Sequence, residues 1–230
     1  MGLSTTDLGT GKAGLPKTIS PGNHELKINN IKLEEFKFIN GAYHIILDVE
    51  SKPIEGFEGF FRDKDDESKG RYEGQIGRLK ASQYAFADGQ TKSGVKIERD
   101  RSILIFLQNL SNALGINDWF LEQDGSHETI EAFVKAFNES ASYKDKFLEF
   151  CVGGKEYMSK SGYVNFDLHL PKAQNGKYAF GEIECGKTLI YDENNVNHLK
   201  KLAVKEVDSF GDDTSLSMNG AVKDEDFSLD

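Results

Sequence analysis

A chain of 230 residues with 38% hydrophobic residues has enough apolar material for one folded domain with tails, or for two small domains. Its net charge of −10 at first argues against nucleic acid, but residues 206–230 account for −7 of it, and no apolar run approaches the ~18 residues of a membrane helix. Cys151 and Cys185 lie apart from each other and from paired histidines, which argues against a disulfide framework or a zinc site. Since residues 1–17 also lack the apolar core of a signal peptide, we expect an intracellular protein. We expect no cofactor and no metal, because the sequence shows no motif for either.

The N-terminal part of the chain predicts a flexible arm followed by strands. Residues 1–22 are rich in Gly, Thr and Ser and show no periodicity, as in a flexible arm. Alternating apolar and polar residues then predict three strands, at 26–33, 43–49 and 56–61. We expect a bulge at Asn29–Asn30 in the first strand and a hairpin turn at Asn40–Gly41.

The hydrophobic period then changes from that of a strand to that of a helix. One predicted helix ends at Gly115, and a second has Ser126 as its N-cap, with residues 119–121 in a linker packed on the core. The apolar positions are Ile103, Phe106, Leu107, Leu110 and Leu114 in the first helix and Ile130, Phe133, Val134 and Phe137 in the second.

Strand patterns return in the last third of the chain. They cover residues 147–152, 164–170 and 177–184, and Asn194 is expected to cap a short helix after them. Residues 206–230 contain eight acids and one base and have no periodicity, so they predict a disordered acidic C-terminal tail.

The order of these elements predicts the fold class. Strands, then helices, then further strands favour a mainly β protein with inserted helices, an OB-fold-like five-stranded Greek-key barrel. The barrel domain would span residues 23–205, with a basic and aromatic insertion at 62–102 and a helical insertion at 102–138.

The basic insertion is the candidate binding site. Residues 69–101 contain eight bases and four acids, interleaved with aromatic residues. Single-stranded nucleic acid needs cations for its phosphates and flat rings for its bases, so we expect sequence-independent binding here. The alternative is that these aromatic rings belong to the core and that the lysine and arginine side chains lie on a solvated surface. The candidate residues are Lys69, Arg71, Tyr72, Arg78, Lys80, Tyr84, Phe86, Lys92, Lys96, Arg99 and Arg101, with Tyr157 and Tyr163, and less strongly Tyr143 and Tyr178, from later segments.

Several stretches also resemble a known family. PGNHELKINNIKLEEF, GAYHIILDVESKPIEGFEGFF and YEGQIGRLKASQYAF, within residues 20–170, are similar to the single-stranded DNA-binding proteins of tailed bacteriophages. The C-terminal DEDFSLD resembles the acidic tip of bacterial and phage proteins of this kind. The resemblance implies a protein that coats single-stranded DNA during replication, recombination and repair. It also implies a tail that recruits replication and recombination proteins through Asp224, Glu225, Asp226 and Phe227.

Two other classes of function stay open. A phage structural or assembly protein would use the same barrel and charged tail for protein contacts alone. A nuclease is less favoured, because the sequence shows no HxH, HExxH, P-loop or nucleophile-elbow pattern. The choice between DNA and RNA and the oligomeric state are likewise open.

Overall fold

The computed structural model describes residues 17–55, 57, 59–140 and 143–202. Residues 1–16 of the predicted arm lie outside the described residues. So does the acidic tail at 206–230, including Asp224, Glu225, Asp226 and Phe227.

The described residues form a mainly β structure with a few helices, as the sequence predicts. The longest strands of the large sheet are the first two and the strand after the helices, with 14, 9 and 12 residues. A single 3₁₀ turn covers Glu67–Lys69. The other elements in chain order are β1 Gly22–Glu35, β2 Tyr43–Ser51, β3 Phe60–Phe61, β4 Arg71–Tyr72, β5 Ile76–Lys80, β6 Gly89–Gln90, β7 Lys96–Ile97, α1 Arg99–Leu114, α2 Asn117–Glu122, α3 Ile130–Glu139, β8 Phe147–Met158, β9 Val164–His169, β10 Phe180–Gly181 and β11 Leu199–Lys200.

Seven strands form one mixed sheet. β1 pairs antiparallel with both β2 and β8, β2 pairs antiparallel with β5, and β8 pairs antiparallel with β9. β5 and β9 run parallel, and β10 and β11 pair with β8. Two small sheets stand apart from it, the β3–β4 hairpin and the β6–β7 hairpin.

The bulge predicted in β1 is confirmed. The register of β1 against β2 shifts between Ile28 and Asn30. Because a bulge bends and twists its strand, the two halves of β1 point in different directions. The first half, residues 22–27, pairs with β8, whereas residues 26–35 pair with β2.

The predicted third strand at 56–61 is wrong. Among the described residues of that segment, 57 and 59–61, only Phe60–Phe61 form a strand, and this strand pairs with β4 rather than with the large sheet. The strand that follows β2 in the large sheet is β5, inside the segment predicted as an insertion. The sequence pattern did not indicate this strand, because Gly77 interrupts the alternation of apolar and polar residues. Its missing side chain makes room for Ile19, whose Cδ1 would lie 2.4 Å from a Cβ at residue 77.

The helices cover the core of the sheet. Buried side chains of β1, β2, β5, β8 and β9 form one apolar cluster with α1 and α3. As predicted, α1 ends at Gly115, which adopts the left-handed conformation (φ 65°). The N-cap of α3 is Thr129 and not Ser126, because the Thr129 hydroxyl is the group that accepts from Ala132 N–H, at 3.2 Å.

Two further segments differ from the sequence prediction. Residues 119–121 belong to α2 rather than to a linker, although the Trp119 ring does pack on the core, 5.4 Å from the Phe137 ring. The helix expected from Asn194 is absent from the described residues. Asp192 and Asn195 accept hydrogen bonds from Asn194 N–H and Asn197 N–H, so local turns replace it.

None of the helices in the described part of the chain is long and apolar enough to cross a membrane.

Candidate nucleic-acid interface

One face of the large sheet carries polar and aromatic side chains. Along β2, the side chains of Ile45, Leu47 and Val49 enter the core, so the alternate residues point away from it. The register places outward residues of the neighbouring strands β5, β9 and β8 beside them. We call this surface the outer face, and it comprises His44, Asp48, Arg78, Lys80, Lys155, Tyr157, Asn165 and Asp167.

Lys80 lies in the middle of the outer face. Its Nζ donates to Asp167 Oδ2 at 2.6 Å, and the two side chains keep 29% and 46% of their surface exposed. His44 lies close to both groups. Burial lowers the pKa of His44 and Lys80 lowers it further, whereas Asp167 acts in the opposite direction. His44 is therefore uncharged at neutral pH and presents a flat, polar ring beside the Lys80 ammonium.

Exposed aromatic rings lie on the outer face and in the turn next to it. In the turn after β1, Phe38 is 88% exposed, and the Phe36 ring contacts both Phe38 and His44, at centroid distances of 5.4 and 5.1 Å. On β8, Tyr157 is 46% exposed and lines a shallow cavity of about 350 Å³ together with Asp167. Neighbouring rings such as the half-buried Phe36 and the exposed Phe38 form an apolar patch, and such patches are typical of surfaces that contact another molecule.

The sequence analysis missed Phe36 and Phe38. Both follow the last alternating residues of β1, in the run EEFKFING, where the strand pattern gives way to a turn. A pair of aromatic residues with one lysine between them, next to a predicted hairpin turn, is the signal that could have indicated them.

The predicted binding residues do not form one groove. Arg78, Lys80 and Tyr157 lie on the outer face, with Tyr163 73% exposed in the turn before β9. Lys69 lies in the 3₁₀ turn between β3 and β4, and Arg71 and Tyr72 form β4. Lys92 and Lys96 belong to the β6–β7 hairpin, and Arg99 and Arg101 to the first turn of α1.

Most of the predicted bases have acidic partners. An exposed ion pair contributes only about 0–1 kcal/mol to the stability of the fold, so it costs little free energy to replace its carboxylate by another anion. A phosphate therefore competes with a carboxylate for these cations. The pairs are Lys69 with Asp63 at 2.5 Å, Arg78 with Glu34, Lys80 with Asp167 at 2.6 Å, Lys96 with Glu98 at 2.8 Å and Arg99 with Asp100 at 2.6 Å.

Some of the predicted rings serve packing instead. Phe86 packs against the core beside Phe106, at 6.4 Å between ring centroids. Tyr143 is fully buried, donates its hydroxyl to Asn138 Oδ1 at 2.8 Å, and has its pKa raised by burial. Tyr143 therefore has no free face for a base, whereas Phe86 is partly buried against the core and its role in binding stays a prediction.

Tyr72 and Tyr84 differ from the buried rings. The Arg62 guanidinium lies 4.3 Å from the Tyr72 ring centroid and covers one face of that ring. Tyr84 is 73% exposed at the rim of a groove beside α1, beyond the end of β5. Tyr84 is thus able to stack on a base, but not in the same place as Tyr157.

The β3–β4 hairpin is anchored by a buried carboxylate. Glu50, on β2, is 2% exposed and accepts hydrogen bonds from Arg62 Nη2 at 3.3 Å and from Glu73 N–H at 3.1 Å. On the hairpin, the Arg71 guanidinium lies 4.1 Å from the Phe61 ring centroid.

The described residues include no group of three or more His, Cys, Asp or Glu side chains that could hold a metal ion. Comparison of the chain with protein-family models, with curated proteins and with solved structures returned no match.

Proposed function

We propose that this protein binds single-stranded DNA without sequence preference, by means of an OB-fold barrel. The strand pairings support the barrel. Each of β1, β2, β5, β9 and β8 pairs with the next, and β8 pairs back to β1. In chain order the helices α1 to α3 lie between β5 and β8, the third and fourth of these five strands, which is the position of the helix in a five-stranded Greek-key barrel of this kind.

The observation that carries the proposal is that Lys80 and the exposed Tyr157 share the outer face, while the exposed Phe38 contacts Phe36, which packs on His44 of that face. In OB-folds, oligonucleotides bind the face of the second and third strands and the loops after the first and fourth strands. The equivalent elements here are β2, β5 and the turns that contain Phe38 and Tyr163. Exposed rings stack on unpaired bases, and a lysine on the same face neutralises a phosphate of the strand.

The charge pattern of the outer face favours weak discrimination among sequences. Its cations act on phosphates, which every sequence has, and its rings stack on any base. The ion pairs of Lys80 and Arg78 must exchange a carboxylate for a phosphate when DNA binds. Such an exchange keeps each cation neutralised, so the salt dependence of binding should be moderate rather than steep.

The same ion pairs favour one other candidate, a protein that acts by protein contacts alone. A face with both signs of charge, such as Lys32 with Asp48 beside Lys80 with Asp167, suits a protein partner as well as a nucleic acid. A titration with nucleic acid separates the two candidates directly.

The test is a fluorescence anisotropy titration of a labelled thymidine oligomer of about 16 nucleotides, within the range of site sizes of single OB-folds. We expect saturable binding to the single strand and at least tenfold weaker binding to a duplex of equal length. Tyr157→Ala and Phe38→Ala should each weaken binding about 5- to 150-fold, since stacking contributes about 1–3 kcal/mol per base.

Matched controls exist outside the outer face. Leu121→Ala removes an exposed apolar side chain of α2, 55% exposed, and should leave affinity unchanged. Lys80→Gln should lower the salt slope by about 0.7 to 1, whereas Lys135→Gln, on α3, should not change it. Equal binding to single strand and duplex, or no binding, would refute the proposal.

We further propose that the protein coats single-stranded DNA during phage replication, recombination and repair. In this proposal the acidic tail at 206–230 competes with DNA for the basic surface, and Phe227 with Asp224, Glu225 and Asp226 recruits partner proteins. The same titration with a chain that ends at residue 205 tests the competition, because removal of the tail should tighten binding most at low salt.

A further inference from the structure

A groove of about 790 Å³ lies beside α1, at the ends of β5 and β9. Its walls come from α1, from residues 81–84 after β5, and from residues 169–173 and 178–187. Cavities of roughly 300–1,000 Å³ are of the size that proteins use for small ligands and for single groups of larger ones.

The lining of this groove has the chemistry of a nucleobase site. Tyr84 and Tyr178 are 73% and 51% exposed, so both rings are available to stack on a planar group. Asn109 and Asn112 are three residues apart on α1 and therefore lie on one side of the helix, where both line the groove. Side-chain amides both donate and accept hydrogen bonds, as the edges of unpaired bases require.

The charge of the lining suits a phosphate next to the base. Lys172 and Lys187 are exposed and outnumber Glu182, the acid of the same lining. The bottom is apolar, with Phe106 and Phe180 in edge-to-face contact at 5.8 Å between ring centroids. A base excluded from water there would bury its ring surface, while its phosphate stays near the lysines.

The groove continues from the outer face. Lys80 on β5 is in register with His169 on β9, and His169 lines the groove. Ala81, directly after Lys80, lines it as well. Burial lowers the pKa of His169, so this junction carries an uncharged imidazole rather than a second cation.

We propose that the groove receives one unpaired nucleobase of the same strand whose phosphates cross the outer face at Lys80. This inference rests on the proposed function and extends it with a second, deeper base site. Tyr84 and Tyr178 contact the ring of the base, Asn109 and Asn112 bind its edge, and Lys172 and Lys187 bind its phosphate.

Cys185 gives a local readout of the groove. It is exposed and lines the groove, whereas Cys151, the other cysteine of the chain, is fully buried with its pKa raised by burial to about 11. Because the thiolate is the reactive form, a maleimide or a disulfide reagent should modify Cys185 far faster than Cys151 in the folded protein.

The experiment measures the rate of Cys185 modification in the full chain, free and saturated with the thymidine oligomer of the anisotropy titration. We expect at least a tenfold slower reaction in the complex, with no slowing by inorganic polyphosphate at equal phosphate concentration. Ser126→Cys in a Cys185→Ser background places an exposed thiol before α3, outside the groove, and its rate should not change.

The outcomes distinguish the groove from the outer face. Tyr84→Ala should weaken oligomer binding about tenfold and restore part of the Cys185 reactivity in the complex. An oligomer that binds but leaves Cys185 fully reactive would overturn the groove site and leave the proposed function intact. Equal protection by polyphosphate would overturn base recognition, and no oligomer binding at all would overturn both proposals.

Discussion

Replacement of Glu50 tests how the β3–β4 hairpin is held to the large sheet. The Glu50 carboxylate, 2% exposed, accepts from Asn29 Nδ2, Arg62 Nη2 and Glu73 N–H at 3.1–3.3 Å and lies 3.6 Å from Lys27 Nζ. Removal of one partner from a buried ion pair costs about 3–5 kcal/mol. Lys27 and Arg62 keep 22% and 35% of their side chains exposed, so water replaces part of the lost interaction.

We therefore expect Glu50→Ala to lower the free energy of unfolding by about 2–4 kcal/mol, with Glu50→Gln intermediate because its amide oxygen still accepts from Glu73 N–H. At about 2–4 °C per kcal/mol for a domain of this size, the melting temperature should fall by roughly 5–15 °C. Urea titration followed by circular dichroism measures the first quantity and thermal unfolding the second.

The control is Asp48→Ala, two residues away on the same strand. Asp48 pairs with Lys32 at 2.6 Å but is 32% exposed, so its loss should cost no more than about 1 kcal/mol. If Glu50→Ala is no more destabilising than Asp48→Ala, the carboxylate does not anchor the hairpin and the reasoning fails.

Two further predictions concern stability. Burial lowers the pKa of both His169 and His198 below 6.5, so below that pH the unfolded state binds more protons than the native state and stability falls as the pH drops. Melting temperatures at pH 7.5 and 5.0 check this, and a flat profile that His198→Asn does not alter would contradict it. Gly74→Ala should destabilise by about 1–3 kcal/mol, because its Cβ would lie 2.3 Å from the Ser51 carbonyl oxygen. Gly89→Ala, where nothing lies within 4 Å of the new Cβ, should be neutral in the same urea titration.

The spacing of apolar residues predicted the helices and strands that turn one continuous apolar side to the core. The helical spacing of Ile103 to Leu114 gave α1, and the alternation around Asn29–Asn30 gave both β1 and its bulge. The strand β5 was not predicted, because Gly77 interrupts its alternation of apolar and polar residues. The packing of Ile19 explains why a glycine stands there. That contact joins residues 58 positions apart in the sequence, and no local pattern contains it.

The candidate site was predictable in part, for a similar reason. Lys80 and Tyr157 were predicted from basic and aromatic residues along the sequence, but nothing in the sequence placed the two on one face of the sheet. The exposure of a ring depends on its distant neighbours. Phe86 is covered by the core beside Phe106, whereas Tyr84, two residues earlier, is left in water. Interleaved aromatic and basic residues are therefore typical of a nucleic-acid-binding surface, but they do not indicate which of the aromatic rings are exposed on it.

The parallel contact between β5 and β9 has a consequence for local opening. A single register pair, Lys80 with His169, joins these strands, together with the bond from Leu170 N–H to Lys80 O at 2.8 Å. Five register pairs join β2 to β5 and six join β8 to β9, so the seam between β5 and β9 has the least main-chain support of the three. Segments with few such bonds open at lower free energy than the rest of a fold. The Leu170 amide should accordingly exchange with solvent sooner than the amides of β8. The Lys80–Asp167 ion pair adds a side-chain contact between β5 and β9, and a phosphate bound at Lys80 would break this contact.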